Sequence, residues 1–161
     1  MIAIQPLEPH QISEVKNLIA RVARNIFGWE RSLEQLLQLA DENHEFHDID
    51  EAGDHYFGNR GIFLVVMDGE RLIGTGAVRR LDDETCEIKR MWLLEDYHGQ
   101  GIGWRMMQEL LAFARWVGYA RVELNTSTQQ ERAIQFYLRV GFEFMETDEE
   151  TGDIVFMERD L

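Results

Sequence analysis

The chain has 161 residues, 45% hydrophobic and 29% charged, a composition that fits one globular domain over 1–161, and its single cysteine, Cys86, excludes a disulfide-built scaffold. Sixteen basic residues against thirty acidic ones give a net charge of -14, which repels phosphate backbones, argues against nucleic acid and anionic membranes, and favours cationic or amine substrates. The longest apolar run, Ile62 to Met67, is too short to span a bilayer, and Met1 to His10 carries no apolar core of signal-peptide length, so a reducing, cytoplasmic setting is expected.

Met1 to Leu7 reads as a short strand ended by Pro6 and Pro9. A helix follows from about Pro9 to Phe27, with Ile12, Val15, Leu18, Ile19, Val22 and Ile26 as its apolar stripe. Pro9 suits its first position and Gly28 its terminus. Ser32 with Gln35 reads as a capping box opening a second helix. Asp41 to Arg60, rich in acid and carrying His44, His47 and His55, reads as a solvated loop, because no metal-ligand spacing is present. Ile62 to Met67, the turn at Asp68-Gly69, Arg71 to Arg80 and Thr85 to Leu94 make a three-stranded meander.

A glycine-rich loop comes next, then an amphipathic helix with the stripe Ile102, Met106, Leu110, Phe113 and Val117, closed by Gly118. Arg121 to Thr126 is a strand. Thr128 and Glu131 form another capping box and start a helix that ends at Gly141. Phe142 to Thr147 and Asp153 to Glu158 complete a hairpin. A strand–helix–strand crossover after a meander requires a mixed sheet. The expected class is therefore α/β (α+β): six or seven mostly antiparallel strands with helices on both faces.

A strand that feeds a glycine loop and then a helix N-terminus is built to hold an anion, because the first helical turn has unpaired N–H groups and a partial positive charge. The loop is Tyr97-His98-Gly99-Gln100-Gly101-Ile102-Gly103. It lacks the Gly-Lys-Ser/Thr ending of a P-loop, since Trp104 follows Gly103. It also lacks the glycine that a dinucleotide fingerprint needs at Met106.

This loop resembles the acyl-CoA pyrophosphate loop of the GNAT superfamily of N-acetyltransferases. Ala133-Ile134-Gln135-Phe136-Tyr137, leading to Gly141-Phe142, resembles the family's second motif, and the expected element order matches along nearly the whole chain. Two positions depart from the family pattern: His98 stands where arginine or glutamine is usual, and Gln130 where asparagine often precedes the tyrosine-bearing helix. The resemblance implies acetyl-CoA as acyl donor and an amine as acceptor, with a homodimer left to be tested. It assigns backbone pairing with pantetheine to Met91 and Leu93, and the pyrophosphate to His98, Gly99, Gln100, Gly101, Ile102, Gly103 and Trp104. Asn125 and Gln130 are polar candidates beside the cofactor, Asn125 equally a cap for the loop before Thr126. Arg105 and Arg132 could reach the outer phosphates.

Acetyl transfer to an amine needs a base for the amine and a proton for the departing thiolate. Strand alternation puts Glu87, Lys89, Met91 and Leu93 on one face. Glu87 thus shares a face with the pantetheine-pairing residues, and it occupies the position where many family members carry a catalytic glutamate. It is the candidate base; an ion pair with Lys89 or Arg79 is the other reading. Tyr137 matches the motif tyrosine that stands beside the CoA sulfur, which makes it the candidate acid; a packed core tyrosine is the alternative. A different class of function, an acyl-CoA-binding sensor without turnover, uses the same loop.

Overall fold

The computed structural model describes residues 1–146 and 150–161. Seven strands form one sheet: β1 (Ile2–Pro6), β2 (Ile62–Asp68), β3 (Arg71–Arg80), β4 (Thr85–Leu93), β5 (Arg121–Ser127), β6 (Glu143–Phe144) and β7 (Ile154–Asp160), in the spatial order β1-β2-β3-β4-β5-β7-β6. All neighbours are antiparallel except β4 and β5, which run parallel, as the crossover demands. The helices are α1 (Ile12–Phe27), α2 (Leu33–Glu42), α3 (His47–Asp50), α4 (Ile102–Val117) and α5 (Glu131–Val140). No helix among the described residues is long and apolar enough to cross a membrane.

Local chemistry accounts for most boundaries. A 3-10 turn at Pro9–Gln11 leads into α1, and Gly28 ends that helix at φ 66, a left-handed conformation that costs glycine little. The Ser32 and Gln35 side chains cap each other's backbone to open α2. The second expected capping box does not form. Thr128 N–H instead bonds to the Asp153 carbonyl in the neighbouring hairpin, and α5 starts at Glu131 behind Gln130. The last hairpin is shorter than expected on its first arm, which pairs over Glu143–Phe144 alone; Thr147 lies outside the described residues. Met106, Met107, Leu110 and Leu111 of α4 are all buried, each worth about 1.5–3 kcal/mol, which docks α4 firmly on β2, β3 and β4.

Two further expectations change. Residues 41–60 are not a solvated loop: α3 and a π-helical turn at Gly53–Phe57 carry Phe46, Ile49, Ala52 and Tyr56 into the core. The alternation of β4 also breaks. Lys89 pairs with Ala77 and Trp92 with Thr75, so Arg90 and Met91 together oppose Gly76. This is a β-bulge, and Arg90 in it has φ 56. The extra residue moves Met91 and Leu93 to the face of Gly74 and Gly76, against α4. Glu87 and Lys89 stay on the face of Arg79 and Ala77. Glu87 and the pantetheine-pairing candidates therefore stand on opposite faces of the sheet.

Candidate active site

β4 pairs with β5 only from Thr85 to Glu87, opposite Arg121 to Glu123. Beyond that vertex the strands part, and the edge of β4 turned away from β3 is left without a strand. Leu94 N–H donates to the Ile73 carbonyl on β3. Successive amides alternate in direction, so the Met91 and Leu93 N–H groups face the gap. The gap opens into a cleft of about 730 Å³ walled by Val22, Asn25 and Ile26 of α1, the end of β4, the glycine loop, the first turns of α4, and α5.

The loop presents backbone rather than side chains. Gly99 and Gly101 have φ 79 and 78, and no atom lies within 4 Å of a Cβ built on either. The first intrahelical bond of α4 runs from Arg105 N–H to the Gly101 carbonyl, so the amides of Ile102, Gly103 and Trp104 precede the ladder and are free for an anion. A polyphosphate carried on a strand-like amide arm fits this combination of free strand edge and helix N-terminus.

The structure brings most of the expected cofactor residues together. Met91, Leu93, His98, Gly99, Gly101, Ile102, Gly103, Trp104, Gln130 and Tyr137 all line the cleft. Gln100 does not: its amide donates to the Asp96 carbonyl at 3.3 Å on the exposed side of the loop. Asn125 is exposed and pairs with Phe156 of β7, on the face opposite buried Leu124, so alternation turns it away. His98 Nε2 lies 3.1 Å from the Leu93 carbonyl and donates to it, taking one lone pair of an acceptor expected to serve pantetheine. Gln130 accepts the Thr126 hydroxyl and the Ser127 amide. Arg132 and Arg139 line the cleft; Arg105 is not among its walls.

Tyr137 is 7% exposed, held edge-on between Phe136 and Phe142 at 5.6 and 5.9 Å. Burial pushes its pKa up to about 12. Glu87 sits at the vertex, outside the cleft walls, 14% exposed and 3.4 Å from Arg79. The ion-pair reading of Glu87 is thus met in the structure. Lateral register continues from Glu87 to Glu123, Glu158 and Glu143, with Arg121 bridging Glu123 at 2.8 Å and Glu158 at 3.4 Å.

Sequence reasoning missed a buried polar cluster behind β4. Arg90 Nη2 and Nε donate to Asp48 Oδ1 and Oδ2 at 2.7 and 3.1 Å, and Nη2 also donates to the Glu45 carbonyl at 2.8 Å. Tyr56 donates its hydroxyl to the same carboxylate. Burial opposes ionisation of Asp48, but the Arg90 bonds and charge, with Tyr56, outweigh it and hold the carboxyl below its ordinary value. The spacing of Phe46, Ile49, Ala52 and Tyr56 was the available signal, since steps of three and four mark a helical face. Cys86 is buried, which pushes its thiol up to about 12. His44 and His47 line a separate cleft of about 360 Å³ between α1, α2 and α3. No group of three metal-ligating side chains converges among the described residues.

Comparison with known proteins agrees with this geometry. The sequence model described as the acetyltransferase (GNAT) family matches residues 25–142. An uncharacterized N-acetyltransferase of Mycobacterium tuberculosis is 36% identical over 83 residues, 52% of this chain and 53% of that protein. Human N-acetyltransferase 8B is 35% identical over 85 residues, 50% of this chain and 37% of that protein. The matched stretches thus span about half or less of these relatives. Among solved structures, a GNAT-family acetyltransferase from Staphylococcus aureus superposes with TM-score 0.84 at 19% identity, covering 99% of both chains. PaiA N-acetyltransferase from Thermoplasma acidophilum, in complex with coenzyme A, gives TM-score 0.81 at 18% identity over 100% of this chain and 99% of that one.

Proposed function

The chain belongs to the acetyltransferase (GNAT) family, and on that premise we propose that it is an acetyl-CoA-dependent N-acetyltransferase. It moves the acetyl group to a primary amine of a small molecule or peptide by direct attack. The observation that carries this reading is the cleft itself, which joins the unpaired edge of β4 to the free amides at the start of α4. The first would take the amide-bearing pantetheine arm at Met91 and Leu93, the second the pyrophosphate at Gly99 to Trp104. Arg132 and Arg139 add positive charge at the same cleft. The likeness to a protein solved with coenzyme A supports the same occupant.

The thioester supplies an activated carbonyl and a sulfur leaving group. The Met91 N–H donates to the carbonyl oxygen as negative charge develops there. Glu87 lies four residues along β4, on the order of 10 Å away, and on the other face. It therefore accepts the amine's proton through water, with the acceptor entering from the face that bears Glu87 and Glu123. Two carboxylates there and a net charge of -14 suit a cationic amine. Tyr137 donates its hydroxyl hydrogen to the sulfur as the C–S bond breaks and the N–C bond forms. A pKa near 12 keeps that hydroxyl protonated throughout the working range. The single buried cysteine suits a reducing, cytoplasmic setting.

Thermal stabilisation by acetyl-CoA, combined with CoA-thiol release on a panel of amines, tests the proposal. Stabilisation with amine-dependent thiol release is expected. Stabilisation without release from any amine would make the chain an acyl-CoA-binding module, and no stabilisation would remove the cofactor reading.

A further inference from the structure

We propose that Asp48, Arg90 and Thr75 form a clamp that sets the direction of the Met91 N–H, and so positions the donor to the acyl carbonyl. The inference rests on the functional reading above; Asp48 and Arg90 stand outside the cleft walls, and Thr75 lines the cleft beside Met91.

Arg90 occupies a conformation that L side chains rarely adopt, at φ 56. A chain left to itself would relax out of it, so something must hold it. Both ends of the residue are held. Its guanidinium is fixed by Asp48 Oδ1 and Oδ2 at 2.7 and 3.1 Å and by the Glu45 carbonyl at 2.8 Å, above the Phe46 ring at 5.5 Å. The hydroxyl of fully buried Tyr56 donates to the same carboxylate, at the Oδ2 that Arg90 Nε also reaches. Its own carbonyl accepts the Thr75 hydroxyl at 2.6 Å, from the neighbouring strand β3.

That second contact fixes a peptide plane. The Arg90 carbonyl and the Met91 N–H belong to one trans peptide and point in opposite directions. With the carbonyl tied toward β3, the N–H is turned to the side where β5 has parted from β4. The bond from Leu94 N–H to Ile73 gives the same direction by alternation, independently of Thr75. Without the bulge, the parity of the strand would reverse and the Met91 N–H would point at β3. The buried ion pair therefore links the 45–56 segment to the one strand whose amide direction matters for acyl transfer.

Thr75→Val tests the clamp without stranding a buried charge, and Thr75→Ser restores the hydroxyl. The Met91 amide is followed by NMR in the cofactor-free protein, and affinities for acetyl-CoA and CoA are measured beside kcat and KM. In Thr75→Val the Met91 resonance should move, and the preference for acetyl-CoA over CoA should collapse because CoA has no acyl carbonyl. CoA affinity itself should hold, kcat should fall about 10- to 100-fold, and the acceptor's KM should stay within about twofold. Thr75→Ser should recover all of these. A Met91 amide that does not move, or parental kcat and acetyl preference in Thr75→Val, overturns the clamp. A parent that binds acetyl-CoA but acetylates no amine overturns the functional reading instead, and the NMR and affinity comparisons still decide whether the clamp exists.

Discussion

The two faces of the sheet at the β4–β5 gap are built from different materials. On the face of α4 and α5, the candidate site offers mainly backbone: free amides, a strand edge, two left-handed glycines and apolar walls, with Tyr137 as its buried polar tip. On the other face, charged side chains dominate, with Arg79 against Glu87, Arg121 against Glu123 and Glu158, and Arg90 against Asp48. A backbone-built surface is sensitive above all to conformation. A charge-built surface is sensitive to pairing, burial and pH.

Substitutions on the backbone-built face should have the largest effects. Gly101→Val forces a branched side chain onto φ 78 at the N-cap of α4, strain of order 1–3 kcal/mol. It should abolish thermal stabilisation by acetyl-CoA while the free protein still unfolds cooperatively. Undiminished stabilisation would show that the loop is not the phosphate site. Tyr137→Phe removes a hydroxyl and keeps the ring between Phe136 and Phe142, so acetyl-CoA affinity should hold. The rate should drop about 10²- to 10⁴-fold. Because burial keeps Tyr137 protonated up to about 12, that deficit should be flat from about pH 6 to 9.5. A variant that turns over like the parent would leave Tyr137 as a packing residue.

Opposite behaviour is expected across the sheet. Asp48→Ala leaves the Arg90 guanidinium, 18% exposed, without its carboxylate and should cost up to about 3 kcal/mol of stability at neutral pH, read by chemical denaturation. Asp48 titrates in the folded protein below its ordinary value of 3.8. A depressed carboxyl contributes stability above its unfolded pKa and loses it as pH falls through the folded one. The parent's advantage over Asp48→Ala should thus be full at pH 7 and close progressively below pH 3.8; an advantage that persists unchanged into acid would mean the pair is not what stabilises the segment. The smallest effect belongs to Glu87→Gln, about 10²-fold near neutrality. It should shrink as pH nears the acceptor's own pKa, where more amine arrives neutral. A deficit independent of pH would assign Glu87 to its ion pair with Arg79 and the base to another group.

How much of this was legible depends on how local each feature is. The long helices α1, α2, α4 and α5 announced themselves through periodicity and capping signals, and Ser32, Gly28, Gly118 and Gly141 stand at the caps that their chemistry implies. The glycine loop was legible because glycines between a strand and a helix encode its backbone geometry directly. The 41–60 segment was misread because its acidic composition masked a stripe of apolar residues at steps of three and four. Thr128 looked like a cap, and lost that role because a partner 25 residues away took its amide.

The sequence by itself determined the order of the strands and long helices, the mixed sheet and the glycine loop ahead of α4, because each follows from spacing within one short stretch of chain; the candidate tyrosine came from the family resemblance. Tertiary structure decided which way β4 presents its residues. An arginine in a left-handed bulge carries no local signature, since its partners are Asp48, 42 residues earlier, and Thr75 on the next strand. That one extra residue sets Met91 and Leu93 on the α4 face and leaves Glu87 on the other. Strand parity has a period of two, so a single extra residue reverses every assignment downstream of it.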